Sequence, residues 1–358
     1  MRWFRLPINA SGAVYRSLIL LPALVVFAAL LPVSATVIHV PADQPTIQQA
    51  IDAAVTGDVV VVSPGTYKEN IDFHGKAIKV RSMSGPGRTI IDGGNINTVV
   101  NFASGEGAKS VLMGFTIQHG SASFGAGVML LLASPTIIGN TFRNNAEGSG
   151  GFGAGIGGNN ASPVIERNTF LNNTCDTQFL SGVVSFVNTS SPLIINNIFI
   201  NNPCRAVNMT LPTGTAPVVA NNTMVNNTVG VRVDARVPTS AQLYLNNIVY
   251  GNQTGLEVDF LSSGNEPTWT NNLVFQNTIN YSGISDQTGQ NGNISVDPLF
   301  VDVTHHNFQL QSSSPAIDAG TLSVPHLPPT DFAGNPRVVD GNGDGTALPD
   351  MGAYEFIP

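Results

Sequence analysis

The twelve residues SPTIIGNTFRNN, 134–145, return as SPVIERNTFLNN at 162–173, SPLIINNIFINN at 191–202 and APVVANNTMVNN at 216–227. Looser copies follow as AQLYLNNIVYGN at 241–252 and EPTWTNNLVFQN at 266–277. Counted at the second position (Pro135, Pro163, Pro192, Pro217, Gln242, Pro267), the spacings are 28, 29, 25, 25 and 25 residues. A fixed period of this size marks stacked structural units. Each unit is a short apolar alternation, an asparagine, a second alternation and a second asparagine. Runs such as TIIGNTF are β-branched and aromatic, and too short for a helix. Strands that recur at one point of every unit and run one way along the chain predict a parallel β-helix. Each unit is then one coil, adding a strand to each sheet at a rise of ~4.8 Å. The strong preference for right-handed crossovers makes the winding right-handed. The fold class is therefore all-β, a right-handed single-stranded parallel β-helix.

Winding makes vertical neighbours of residues one period apart. Ile137, Ile165, Ile194 and Val219 form one expected inner column, and Phe142, Phe170, Phe199 and Met224 another. Asn140, Asn168, Asn197, Asn222, Asn247 and Asn272 align, as do Asn145, Asn173, Asn202, Asn227, Asn252 and Asn277. Asparagine tolerates the left-handed backbone of a sharp corner, and stacked amides can donate and accept along a column. These asparagines read as structural, and the N-x-S/T triplets as by-products of the repeat. Upstream, VLMGFTIQHG at 111–120 fits the same frame, and FGAGVML at 124–130 lies 28 residues before FGAGIGG at 152–158.

Cys175 and Cys204 occupy the same place in successive coils, each two residues after a column asparagine. A separation of ~4.8 Å falls in the Cα range of a disulfide, although a strictly parallel stack sets the Cβ atoms slightly too far apart. A bridge and a pair of stacked thiols both remain open.

The ends differ from the middle. MRWFR, the apolar run LILLPALVVFAALL and PVSA have the order of a secretory signal peptide, residues 1–35, with cleavage after Ala35. An uncleaved membrane anchor is the alternative. No other segment is apolar enough to cross a membrane, so the expected location is secreted, periplasmic or cell-surface. Residues 36–58 form an N-terminal cap, in which Thr46 and Gln49 have capping-box spacing and Ile47, Ala50, Ile51 and Ala54 share a helical face. Coils are expected over 59–294, and final coils with a cap over 295–358. The charged residues are 11% of the chain and the formal net charge is −8. That balance excludes a basic nucleic-acid stripe and suits neutral or cationic partners.

The helix followed by GDVVVVSPGTYKENI resembles the start of pectin-lyase-like β-helix proteins. The F-x-x-N and G-A-G-[IV] repeats are similar to those of bacterial polymorphic outer-membrane proteins. DPLF, FQLQSSSPAIDAG, DFAGNPR and DMGAYE resemble the C-terminal section of the bacterial choice-of-anchor Q surface family. These resemblances imply a bacterial exported or cell-surface protein.

Many proteins of that fold cleave acidic polysaccharides, and their motifs are absent or incomplete here. There are neither the paired aspartates nor the G-H-G of a galacturonan hydrolase. The R-x-P-x-x-R of a pectate lyase is matched by Arg236 and Pro238 but by Ala241 at its last position. The aspartates and arginine of a pectin methylesterase are not found in their contexts. His39, His74, His119, His305 and His306 show no metal-ligand spacing.

One constellation follows from the period alone. VGVRVDARVPT at 229–239, reading from Val229, alternates Val231, Val233 and Ala235 inward with Arg232, Asp234 and Arg236 outward. TGLEVDFL at 254–261 places Leu256, Val258 and Phe260 inward, and Glu257 and Asp259 outward. Arg232 stacks on Glu257, and Asp234 on Asp259. Two carboxylates ~5 Å apart beside two arginines suit acid–base chemistry, with Asp234, Asp259 and Arg236 as catalytic candidates. The same five residues suit ligand or cation binding; the plain reading is a solvated strand face with cross-strand pairs. A second constellation, Asp340, Asn342 and Asp344 in DGNGDG with Asp350 nearby, resembles half of a calcium loop, or else is a polar turn. No cofactor is required; calcium is a candidate. The first function expected is a non-catalytic exported protein whose long face contacts glycan, with Tyr244, Tyr250 and Trp269 as its main aromatic side chains. The alternatives are a polysaccharide lyase or glycoside hydrolase, and a plain structural spacer.

Overall fold

The computed structural model describes residues 35–176, 181–212, 214–237, 241–262 and 264–358. The expected signal peptide lies outside them except for Ala35. The body is a stack of coils with three parallel sheets, of ten, nine and nine strands. Each coil crosses the first sheet, turns a two-residue corner into the second, turns again and enters the third. The first sheet runs from Val37–Val40 to Thr268–Thr270, the second from Gly65–Lys68 to Leu273–Phe275, and the third from Ile71–Asp72 to Ile279–Ser282.

The expected columns form in register. Ile137 pairs with Ile165, Ile165 with Ile194, and Ile194 with Val219. Phe142, Phe170 and Phe199 stack with ring centroids 4.8 and 4.6 Å apart. All seven of these side chains are fully buried. Identical residues at one height of each coil give this core its density.

Both asparagine columns are hydrogen-bonded ladders. In the first corner Asn168 Oδ1 accepts from the backbone N–H of Asn140 at 2.9 Å and from its Nδ2 at 3.1 Å. The pattern continues through Asn197, Asn222, Asn247 and Asn272 to Asn293. In the second corner it runs from Asn145 to Asn277 and closes on Asn280 Oδ1. One correction concerns the backbone. The left-handed conformation falls on the residue before each ladder asparagine: Asn196, Asn221 and Asn246 at φ 56°, 51° and 55°, and Asn144, Asn172 and Asn201 at 53°, 54° and 52°. The ladder asparagine turns its amide inward; its predecessor makes the bend.

The helix Ile47–Ala53 packs Ile47, Ala50 and Ile51 onto the first coil's core. Thr46 Oγ1 accepts from Gln49 N at 3.1 Å, and the Glu69 carboxylate accepts from Ile47 N and Gln48 N at 3.0 and 2.9 Å. First-turn N–H groups that a helix cannot satisfy itself are thereby capped. The strand Val37–Val40 precedes the helix and pairs with Val59–Val62, so part of the expected cap is already a coil strand.

The section after the last coil differs from the expected final coils. It adds no strand to the three sheets; its one hairpin, Phe300–Asp302 with Asn307–Leu310, is antiparallel and separate. It runs back as a strap along the outside of the stack. Phe300, Phe308, Ile317 and Met351 pack on the outward Ile198, Ile200, Val225, Ile248 and Leu273 of the second sheet. Val324 and Leu327 pack on Ile195, Val218 and Leu245 of the first. The reason lies in the outward columns. Along the second sheet, Asp92, Gln118 and Arg143 give way to Leu171, Ile200, Val225, Tyr250 and Phe275. An apolar outer column of that length is stable in water only when covered.

The strap also reads the corner. Asn196 Nδ2 donates to Thr330 O, Asn221 Nδ2 to Asp350 O, Asn246 Nδ2 to Thr321 O and Asn271 Nδ2 to Ala319 O, all at 2.9–3.0 Å. At its centre Arg337 is fully buried and donates to Gly352 O, Ala353 O, Glu355 Oε2 and Asn196 Oδ1. Burial pushes the Glu355 carboxyl up to about 9, with Asp350 adding to the rise, and pushes Asp350 up to about 6.

Candidate functional site

Three strands of the third sheet, Arg205–Thr210, Val229–Asp234 and Thr254–Asp259, carry the charged strip. Val207, Val231 and Leu256 point into the core, as do Met209, Val233 and Val258. Between them Asn208, Arg232 and Glu257 form one outward column, and Asp234 pairs with Asp259. The expected register therefore holds for all of Arg232, Asp234, Glu257 and Asp259.

Their environment differs from the expected solvated face. Arg232 is outward yet 0% exposed. Its Nε and Nη2 each lie 2.9 Å from Asp259 Oδ2, and its Nη1 donates to Asn208 Oδ1 at 3.2 Å and Thr210 Oγ1 at 3.0 Å. Burial lowers its pKa, and Asp259 and Asp234 act in the opposite direction. Asn208 Nδ2 continues the file to Ser185 Oγ at 3.1 Å. Asp234 is 4% exposed and bound to Arg236, which donates from its backbone N at 3.1 Å, Nε at 3.0 Å and Nη2 at 2.5 Å. Arg236, 56% exposed, also lies 5.0 Å over the ring of Phe260. Glu257 meets Arg205 at 3.5 Å.

Each carboxylate of the strip thus faces its own guanidinium: Asp259 with Arg232, Asp234 with Arg236, Glu257 with Arg205. Asp234 and Asp259 do share a level, but two arginines are interleaved with them. The arrangement suits a fixed array of donors and acceptors better than a pair of carboxylates sharing a proton. Pro238, the other residue matching the lyase pattern, lies outside the described residues.

Phe260 corrects the alternation. It was placed inward, but the strand ends at Asp259, Phe260 takes φ 57°, and its side chain is 55% exposed. The aromatic expectation reverses with it. Tyr244 and Trp269 face inward and stack in the core at 4.4 Å, and Tyr250 lies under the strap. The aromatic ring offered to solvent beside the strip is that of Phe260.

A concavity of about 350 Å³ opens at the start of these strands, lined by Asp176, Ser181, Arg205, Thr228, Gln253, Thr254 and Glu257. Its wall includes Cys175 and Cys204, which are joined as a disulfide with Cα atoms 5.6 Å apart. A second, of about 370 Å³, opens at the other end beside Asp234, Arg236, Thr210 and Leu211.

Sequence reasoning missed two residues here. Arg205 reaches Glu257 across 52 residues, skipping a coil, so no single period reveals the pair. Glu147, 8% exposed, accepts from Ser181 Oγ at 2.5 Å; burial raises its pKa to about 7. Its signal was present, since it is the lone charged residue between Arg143 and Glu166.

The candidate calcium residues do not converge. Asp340 accepts from the backbone N–H groups of Gly343, Asp344 and Gly345, Asn342 from Asp344, and Asp344 from Thr346. Asp350, 1% exposed, instead braces the strap by accepting from Asp318 N at 2.8 Å and Phe356 N at 2.6 Å. The loop is a self-bonded polar turn, with Asp350 facing away into protein. Among the described residues no group of three or more His, Cys, Asp and Glu side chains is placed to hold a metal. No helix among them is long and apolar enough to cross a membrane.

No family model matches the chain, and no curated protein matches it. Among solved structures it is similar to one described as the crystal structure of pectate lyase Pel9A. The likeness has 14% identity, covers 90% of this chain and 97% of that one, and has a TM-score of 0.38.

Proposed function

We propose that this chain is an exported, non-catalytic β-helix protein of a bacterial surface, of the choice-of-anchor Q type, that contacts glycan. The observation that carries this reading is the position of the strap. Over the last coils it covers the outer faces of the first and second sheets and leaves the third. The third face presents ion-paired, hydrogen-bonding side chains, an exposed aromatic ring and two concavities. Sugars are recognised by fixed polar groups and aromatic surface of this kind. The pairing of Asp234 and Asp259 with separate arginines supports contact over catalysis.

One observation favours the alternative, a polysaccharide lyase or glycoside hydrolase. Glu147, with a pKa of about 7 and a bond to the concavity residue Ser181, has the properties of a general acid. The two readings separate on a glycan array followed by reducing-end and unsaturated-product assays. Retention without product, unchanged by Glu147→Gln, supports the binder. Depolymerisation abolished by Glu147→Gln, Asp234→Asn or Asp259→Asn overturns it.

A further inference from the structure

The strap carries a concavity of its own, of about 300 Å³, between its hairpin and its last residues. Val301, Leu310 and Phe356 give it apolar walls, and Gln309, Asn335 and Glu355 polar ones. Glu355 is 5% exposed. Its Oε2 accepts from Arg337 Nη1 at 3.2 Å and from Asp350 N at 3.1 Å. Its Oε1 is buried and has no hydrogen-bond partner among the described residues. Burial, with Asp350 adding to it, pushes this carboxyl up to about 9 against the pull of Arg337 and of the backbone N–H groups of Asp350 and Val339. At neutral pH the group therefore carries a proton. Oε2 already accepts two N–H groups, so the proton belongs on Oε1. The outcome is a buried O–H without an acceptor, on a residue in the wall of a concavity. Native structures leave few such groups, because each forgoes a hydrogen bond that water would have supplied. Beside it Asn335 Nδ2 donates to Asp331 Oδ2 at 3.3 Å, which leaves Asn335 Oδ1 as an acceptor. The Gln309 residue is exposed at the rim.

We infer that this concavity binds a small neutral carboxamide with a branched apolar end, its carbonyl accepting from Glu355 Oε1 and its N–H donating to Asn335 Oδ1. The inference stands apart from the glycan reading, since the strap is not part of the third face. A carboxamide presents an acceptor and a donor side by side, and its apolar end fits between Val301, Leu310 and Phe356. The volume is at the low end for ligand pockets and suits a molecule of few heavy atoms. Charged analogues of the same shape fit worse. A carboxylate would add a third anion to Asp331 and Asp350 around the single guanidinium of Arg337. An ammonium would gain an ionic partner only by displacing the Glu355 proton, which places two new charges in a buried site.

The test titrates isovaleramide, isovalerate and 3-methylbutylamine into the protein at pH 7. Nuclear magnetic resonance follows the side-chain amide signals of Asn335 and Gln309 and the methyl signals of Val301 and Leu310. Isovaleramide is expected to shift them, and to bind at least roughly tenfold tighter than either ion, which shares its apolar end. Val301 is 48% exposed, so Val301→Trp narrows the concavity while leaving Glu355 and Arg337 in place, and it should abolish the shifts. Saturating isovaleramide should also slow proteolysis of 297–358 in the unmodified protein, because a ligand held only by the docked strap stabilises it. No shift with any of the three probes, binding of either ion as tight as that of the amide, or an unchanged response in Val301→Trp overturns the inference and leaves the glycan reading untouched.

Discussion

Asn226 and Asn227 are adjacent in sequence yet held for different reasons, and replacing each in turn separates those reasons. Asn227 is 4% exposed. Its Nδ2 donates to Phe199 O, Val225 O and Asn252 Oδ1 at 3.1–3.2 Å, and its Oδ1 accepts from Asn202 N at 3.2 Å and Asn202 Nδ2 at 2.8 Å. Asn227→Ala removes all five. Two partners keep another bond: Asn252 Oδ1 still accepts from Asn227 N, and Asn202 Nδ2 still donates to Phe170 O. The backbone N–H of Asn202 is left buried with no acceptor. Charging about 1 kcal/mol for each of those two partners, which keep a bond, and ~1–3 kcal/mol for the orphaned donor, the substitution costs about 3–5 kcal/mol. Asn226 is exposed with φ 55°, a conformation that suits glycine. Asn226→Gly should therefore stay within ~0.5 kcal/mol of the parent. Urea unfolding gives the global difference. Hydrogen exchange at the Asn202 amide gives the local one, which matters because stacked repeats can open by segments. A cost under ~1 kcal/mol for Asn227→Ala, or equal costs for both variants, would refute the ladder as the source of corner stability.

Three further outcomes follow. The folded-state pKa values of about 9 for Glu355 and about 6 for Asp350 are raised, so protonation favours the docked strap. That stabilisation is complete below the ordinary carboxylate range of ~4 and is lost as pH climbs through 6 and then 9. Proteolysis of 297–358 should accelerate between pH 6 and 9.5, and Glu355→Gln should flatten that rise. Arg337→Ala removes the strap's buried hub at a cost of ~3–5 kcal/mol. It should increase dye binding to the uncovered apolar columns while the β-sheet signal persists. The Cys175–Cys204 bridge closes a loop with a separation of 29 residues, worth about 3–4 kcal/mol in a chain-entropy estimate. Thiol titration of the native protein should find no free thiol, and reduction should lower the unfolding midpoint.

The coil stack is legible because its period is nearly constant, and a constant period fixes vertical neighbours without any knowledge of distance. That is why the Arg232–Glu257 and Asp234–Asp259 register could be read directly. Burial could not, because what covers an outward side chain comes from elsewhere in the chain; Arg232 was expected in solvent for that reason. In an Asn-Asn corner, composition alone does not say which residue bends. The variants IGN at 138–140 and YGN at 250–252 do, since glycine always takes the first place. The need for a strap is written in the sequence too, in the outward change from Arg143 to Leu171, Ile200, Val225, Tyr250 and Phe275, an apolar column that the same period exposes.

Hydrogen exchange of the whole protein with and without a saturating oligosaccharide hit from the array tests most directly where glycan sits. Protection gained over 205–210, 229–234 and 254–259, with the strap unchanged, is the predicted result. Protection confined to the strap or to the first or second sheet would contradict it.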